Sequence, residues 1–128
     1  MPAAGLRGAL VYRHSIKVKH TVSLNLNTLF RRLYYRGKVQ HSQILTLHYL
    51  PNGLKHNRLG ITVSKKIGKA VVRNKVRRRI YESFRQYEPL LKTGVDIVIV
   101  AKPAAVDSDF ERYSKMIGSM LKKAELFL

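Results

Sequence analysis

The stretch from Arg58 to Tyr87 most constrains the fold of this chain. Its first residues alternate between apolar and polar side chains, which is typical of a half-buried strand, and a basic turn around Gly68 follows. Beyond the turn, apolar residues recur at helical spacing among five arginines. The order predicts a strand that leads into a helix N-terminus, where backbone N–H groups and the helix dipole favour phosphate.

The predicted helix has one apolar face and several cationic ones. At roughly 100° per residue, its apolar stripe comprises Val72, Val76, Ile80, Phe84 and Tyr87. Asn74, Arg78 and Arg85 point away from that stripe, whereas Arg73 and Arg77 flank one edge and Lys75 and Arg79 the other.

A charged helix face is most often simply solvated. Here the only acid of the helix is Glu82, so cations four residues apart repel each other without carboxylate partners. We therefore expect an anionic partner along the turn and the helix. The turn contributes Lys65, Lys66 and Lys69 to this expected anion site.

Positive charge is concentrated in the first two thirds of the chain. The net charge is +18, residues 1 to 81 hold 18 Lys and Arg and no acid, and the remainder holds seven of each sign. This asymmetry favours nucleic acid or an anionic membrane surface as partner. No apolar run approaches the roughly 20 residues of a membrane span. With the absence of cysteine this predicts a soluble, intracellular chain, and we expect a cytoplasmic protein without a membrane partner.

The remaining pattern predicts one domain at 21–128 after a mobile extension at 1–20, for which an organellar transit peptide is the alternative. The elements predicted around the central helix are a helix at 27–36, an edge strand at 38–41, strands ending at 50 and spanning 59–64, a strand at 95–101 and a last helix. The strands before and after Pro51-Asn52-Gly53 are expected to pair antiparallel. Ser108 and Glu111 predict a capping box for the last helix.

No protein active site is predicted. The chain lacks cysteine, which excludes disulfides, thiolate metal sites and cysteine nucleophiles. Its seven acidic residues all lie after residue 81, and its histidines do not have the spacing of metal ligands. We therefore expect no catalytic and no metal-binding residue in the protein itself.

The segment Ser64 to Ile80, SKKIGKAVVRNKVRRRI, closely resembles the signature of the bacterial ribonuclease P protein family. That family is the small basic subunit of the ribonucleoprotein that matures the 5′ end of transfer RNA. Supporting matches lie at 30–37, 58–64 and 94–103, and the likeness covers roughly residues 22–126. It implies an α+β fold of order αβββαβα, a two-layer sheet with helices, as in a ribosomal protein and a translocation-factor domain. It also implies a left-handed βαβ crossover, although general statistics favour the right hand in about 98% of cases.

The resemblance also implies two RNA surfaces. The helix residues Arg73, Asn74, Lys75, Arg77 and Arg78 would contact the catalytic RNA, with Lys75 and Tyr81 standing where the family usually has Arg. A cleft between the first helix and the sheet would hold the single-stranded 5′ leader of precursor transfer RNA. The residues at its positions are Phe30, Tyr34, Thr46, His48 and Tyr49, and for Phe30 and Tyr34 a plain core role stays open.

As a member of this family, the chain would act within an endoribonuclease holoenzyme. The RNA subunit would perform hydrolysis with Mg²⁺ that it mainly binds itself, and the protein would need no protein partner. The alternative is a ribosomal-type or general RNA chaperone that uses the same fold without a processing role. Duplex DNA is disfavoured as a partner, because one cationic helix without dimer signals gives poor sequence readout.

Overall fold

From Asn27 onward, the order of helices and strands is αβββαβα, as the sequence predicts. The structure, a computed structural model, describes residues 9–10, 21–23 and 27–128, so most of the predicted N-terminal extension lies outside the described residues. The elements are β1 (Ala9–Leu10), β2 (Thr21–Ser23), α1 (Asn27–Arg36), β3 (Lys38–His41), β4 (Leu45–Pro51), β5 (Asn57–Thr62), α2 (Ala70–Tyr87), β6 (Val95–Ala101) and α3 (Phe110–Lys123). Short 3₁₀ turns lie at Lys65–Ile67, Glu88–Leu90 and Pro103–Ala105.

The four long strands form a mixed sheet in the order β5, β6, β4, β3. β5 and β6 run parallel, whereas β4 is antiparallel to both β6 and β3. β1 and β2 add short pairings to β5, β1 antiparallel and β2 parallel. The predicted edge strand β3 is confirmed, and α2 connects the two parallel strands. The left hand of that connection stays a prediction.

The predicted antiparallel pairing of β4 with β5 is wrong. β6 lies between them, and both Leu47 of β4 and Ile61 of β5 pair with Ile99 of β6. The physical reason is the composition of β6, which is almost wholly buried and is therefore stabilised most at the centre of the sheet. The chain after Gly53, which has a positive φ of 72°, consequently crosses the end of the sheet instead of closing a hairpin.

Helices cover both faces of the sheet, so the predicted two-layer arrangement becomes three layers. Odd-numbered sheet residues such as Ile97 and Ile99 pack with α2 and α3 in the main core. The alternate residue Val98 packs with Phe30 and Leu33 of α1 in a second cluster. Because side chains alternate along a strand, α1 lies on the sheet face opposite α2 and α3.

The last helix starts one residue later than the capping box predicts. Asp109 is its N-cap, and its carboxylate accepts a hydrogen bond of 2.9 Å from the backbone N–H of Arg112. Ser108 is buried, and its hydroxyl donates to the carbonyl of Ala104 at 3.0 Å. Aspartate and serine are about equally good N-caps. The pattern therefore predicts the helix correctly but places its N-cap at Ser108 instead of Asp109.

Candidate nucleic-acid interface

A cationic turn leads into α2. Lys65, Lys66 and Lys69 are all exposed there, and Lys69 occupies the N-cap position of the helix. Gly68 has a φ of 154°, and a Cβ on it would lie 3.2 Å from the side chain of Val72. Glycine therefore lets the turn pack against the first helical turn, which places the three lysines in the segment next to the positive end of the helix dipole.

Farther along α2, the predicted outward positions are confirmed. Asn74, Lys75 and Arg78 are exposed, and so is Arg85. Val76, Ile80 and Phe84 are buried, while Val72 and Tyr87 are half-buried at the two ends of the stripe. The exposed members thus form one surface with the lysines of the preceding turn. We call this surface, with the half-buried Arg73, the α2 face: Lys65, Lys66, Lys69, Arg73, Asn74, Lys75 and Arg78.

Arg77 departs from its predicted position at the edge of the stripe. Only 5% of it is exposed, and its Nη1 donates to Asn74 Oδ1 at 2.6 Å. Burial and the neighbouring Arg73 lower the pKa of Arg77 below its ordinary value. Within the described residues, the Nε atoms of Arg73 and Arg77 are buried without a hydrogen-bond partner. The buried side of α2 is wider than the apolar stripe predicts, because Tyr81 and Ser83 are buried as well.

The second surface lies between α1 and the sheet. Tyr34 is half-buried, and its ring centroid is 4.5 Å from that of His48 at an interplanar angle of 46°. Thr46 and His48 alternate on the β4 face that α1 covers, so the structure brings Tyr34, Thr46 and His48 to the same side of the sheet. We call these three residues the α1 cleft.

Two other predicted cleft residues are not presented there. Phe30 is 2% exposed and packs with Leu33 and Val98. Its ring therefore anchors α1 to the sheet and has no free face for a nucleotide. Tyr49 lies on the opposite sheet face, where it packs against the main core. The alternation of β4 separates Tyr49 from His48, since neighbouring residues of a strand point to opposite faces.

Burial changes the chemistry of the cleft side chains. It raises the pKa of Tyr34, an effect that the hydroxyl of Thr62 opposes. It lowers the pKa of His48, and the positive charge of His41 acts in the same direction. Sequence reasoning missed both neighbours, Thr62 and His41. The strand register is the feature that would have identified them. His41 pairs with Thr46 across β3 and β4, and Thr46 and Thr62 pair with the same residue of β6, Val100.

Metal binding and membrane insertion can be stated for the described residues only. No three or more His, Asp or Glu side chains among residues 9–10, 21–23 and 27–128 are grouped so that they could hold a metal ion. In the same part of the chain, no helix is both long and apolar enough to span a bilayer.

The fold and these surfaces define a class: a small basic α+β protein with a cationic helix on one side of its sheet and an aromatic cleft on the other. The family model described as Ribonuclease P matches residues 18–125. The chain belongs to the ribonuclease P protein family.

Ribonuclease P proteins of several bacteria are similar to this chain in sequence and in structure. The ribonuclease P protein component of Caldanaerobacter subterraneus subsp. tengcongensis is 44% identical over 98 residues, which are 77% of this chain and 84% of that one. The component of Clostridium perfringens is 39% identical over 112 residues, covering 82% and 90%. The solved Staphylococcus aureus RNase P protein superposes with a TM-score of 0.76 at 32% identity, covering 83% of this chain and 97% of that one. For the RNase P protein of Thermotoga maritima the TM-score is 0.72 at 30% identity, covering 79% and 96%.

Proposed function

We propose that this chain is the protein subunit of ribonuclease P, which binds the catalytic RNA and the 5′ leader of precursor transfer RNA. In that role it assists the Mg²⁺-dependent removal of the leader that gives mature 5′ ends. The observation that carries the proposal is the α2 face, whose exposed cations form no ion pair with an acid of the described residues, in a chain of this family. Its place of action is then the cytoplasm, as the sequence predicts.

The α2 face suits the phosphate backbone of a folded RNA. Its lysines surround a helix N-terminus, and Lys75 and Arg78 extend the positive charge along the helix. Each cation that neutralises a phosphate releases a counterion, so binding here should depend steeply on salt. Burial and repulsion from Arg73 lower the pKa of Arg77, and an RNA phosphate bound at the neighbouring surface would offset that repulsion.

The α1 cleft suits unpaired nucleotides. Tyr34 and His48 present tilted rings on the sheet face that also carries Thr46, and stacking on aromatic side chains contributes about 1–3 kcal/mol per base with little sequence preference. A leader of variable sequence requires that kind of recognition. Phe30 contributes indirectly, because it packs between α1 and the sheet and thereby fixes the position of Tyr34.

Hydrolysis is assigned to the RNA subunit. The described residues offer no cluster of metal ligands, and we propose that the Mg²⁺ ions are held mainly by the RNA. The protein then contributes charge neutralisation between two RNAs that repel each other, and this lowers the salt and metal concentrations at which they associate.

The test is reconstitution with the cognate ribonuclease P RNA and a precursor cleavage assay at low Mg²⁺. We expect the protein to stimulate cleavage and Tyr34→Ala to weaken precursor binding about fivefold to a hundredfold, the equivalent of one lost stacking contact. Affinity for mature transfer RNA and for the catalytic RNA should hardly change in Tyr34→Ala.

Arg78→Ala is the matched variant on the α2 face, and it should show the reverse pattern, with weaker binding of the catalytic RNA. If Tyr34→Ala affects all RNAs equally, the chain is better described as a general RNA chaperone. Specific 5′ processing by protein free of RNA would contradict the assignment of catalysis to the RNA.

A further inference from the structure

The outward side of α1 carries a separate group of cations. Arg31, Arg32 and Arg36 are exposed on it, together with Tyr35, which is 68% exposed. The inward side of the same helix holds the buried Phe30 and Leu33. The ion pair found among the described residues joins Arg58 to Asp96, so none of these three arginines has a carboxylate partner there.

These cations cannot belong to the α2 face. α1 and α2 cover opposite faces of the sheet, and each helix layer packs about 10 Å from the strands, so the two helices lie about 20 Å apart. That separation is about 2.5 times the Debye length at physiological salt. A phosphate neutralised at one surface therefore does little for the other.

We propose that the outward side of α1, comprising Arg31, Arg32, Tyr35 and Arg36, binds the phosphate backbone of the single-stranded leader beyond the nucleotides in the α1 cleft. This inference rests on the proposed binding of the leader at Tyr34. Tyr34 and Tyr35 are consecutive, so a strand that leaves the cleft over the edge of α1 meets the exposed ring and the arginines directly. Cations that track a backbone beside an aromatic platform are the usual components of a single-strand site.

The length of α1 also favours a single strand over a duplex. Ten residues span about 15 Å at 1.5 Å each, and three arginines and one ring along that length match a few successive nucleotides. Recognition of double-stranded RNA generally requires contacts over a longer span, about 16 base pairs in the dedicated domains.

The experiment compares leaders of about four and about sixteen nucleotides, the range of site sizes of single-strand-binding folds. In the reconstituted holoenzyme, the triple variant Arg31→Gln, Arg32→Gln, Arg36→Gln should bind the long-leader precursor about tenfold more weakly. It should bind the short-leader precursor and the catalytic RNA like the parent protein. The slope of log affinity against log salt for the long leader should fall by about two, because each phosphate contact on a single strand contributes about 0.7.

The matched control is Lys115→Gln, Lys122→Gln, Lys123→Gln on α3. It removes the same charge from exposed positions on the other sheet face and should leave long-leader binding unchanged. Equal losses in both triple variants would show a general charge effect and overturn the proposal. Weaker binding of the catalytic RNA by the α1 variant would assign the surface to that RNA and overturn it too. The outcomes separate leader binding in the α1 cleft from backbone binding on the outward side of α1. If no leader of any length improves binding by the parent protein, the cleft assignment is overturned, and this inference with it. If a short leader improves binding and a longer one adds nothing, only this inference is overturned.

Discussion

At the scale of single residues, partial burial sets the chemistry of the α1 cleft. His48 is half-buried against Tyr34 and lies near His41, and both burial and His41 lower its pKa from the ordinary 6.5. A neutral imidazole stacks on an unpaired base without carrying a charge into the cleft. Such a state is not visible in the sequence, because a histidine in a strand pattern gives no sign of its depth or its neighbours.

The lowered pKa of His48 predicts a pH dependence of stability. The unfolded chain takes up this proton first as the pH falls below 6.5, so the free energy of unfolding decreases until His48 is protonated in the folded state as well. The contribution is fully present above 6.5. We expect His48→Gln to flatten the pH dependence of chemical denaturation in that window.

The comparison variant for this measurement is His56→Gln, which alters a half-buried histidine in a loop outside the cleft. A slope that changes only in His48→Gln assigns the pH dependence to the cleft. An unchanged slope in His48→Gln would show that the imidazole titrates alike in the folded and unfolded states, contrary to the prediction.

At the scale of the element, α2 shows how far helical periodicity predicts a surface. The apolar spacing correctly identifies the buried Val76, Ile80 and Phe84 and the exposed Asn74 and Arg78. It fails at the edge of the stripe. Whether an arginine at that edge is exposed depends on how neighbouring elements pack against it, and the sequence of one helix does not show that packing. The helical spacing therefore predicts Arg77 at the edge of the stripe, whereas the structure buries it.

Arg77 and Arg78 form a matched pair for separating stability from RNA binding. Arg77 is buried beside Arg73 with an unpartnered Nε, and replacing a poorly compensated buried charge with an apolar side chain of similar length often stabilises a protein. We expect Arg77→Met to raise the free energy of unfolding of the free protein by about 1 kcal/mol. Affinity for the catalytic RNA should nevertheless fall.

Arg78→Met supplies the comparison, since Arg78 is exposed on the next position of the same helix. Its stability should stay within about 0.5 kcal/mol of the parent, and its RNA affinity and salt slope should fall. Denaturant titration and RNA binding at several salt concentrations measure both quantities. A loss of stability in Arg77→Met would show that the buried guanidinium supports the fold and is not held there at a cost.

At the scale of the whole molecule, the elements were predictable and their arrangement was less so. Periodicity identifies strands and their faces but carries no information on which strands are neighbours, so β6 was not placed between β4 and β5. The same limit applies to the predicted cleft: the sequence does not show which face of the sheet α1 covers, and the structure places Tyr49 on the other face. The local patterns and the family resemblance agree on the αβββαβα order, but neither the periodicity nor the order along the chain states which strands lie side by side.

The charge of the whole molecule predicts that anions stabilise the free protein. A net charge of +18 destabilises the compact state through self-repulsion, and the α2 face concentrates part of it at one surface. An anion that binds only the folded state stabilises it by about 2.7 kcal/mol at 100 times its Kd, or about 10 °C in melting temperature for a domain of this size. We expect pyrophosphate to raise the melting temperature well above the value in chloride at equal ionic strength.

The variant Lys65→Gln, Lys66→Gln, Lys69→Gln should lose part of this shift, whereas the α3 triple variant should retain it, because only the former removes cations from a helix N-terminus. Equal melting temperatures in the two salts would mean that general screening, and no localised phosphate site, accounts for the effect of anions on this fold.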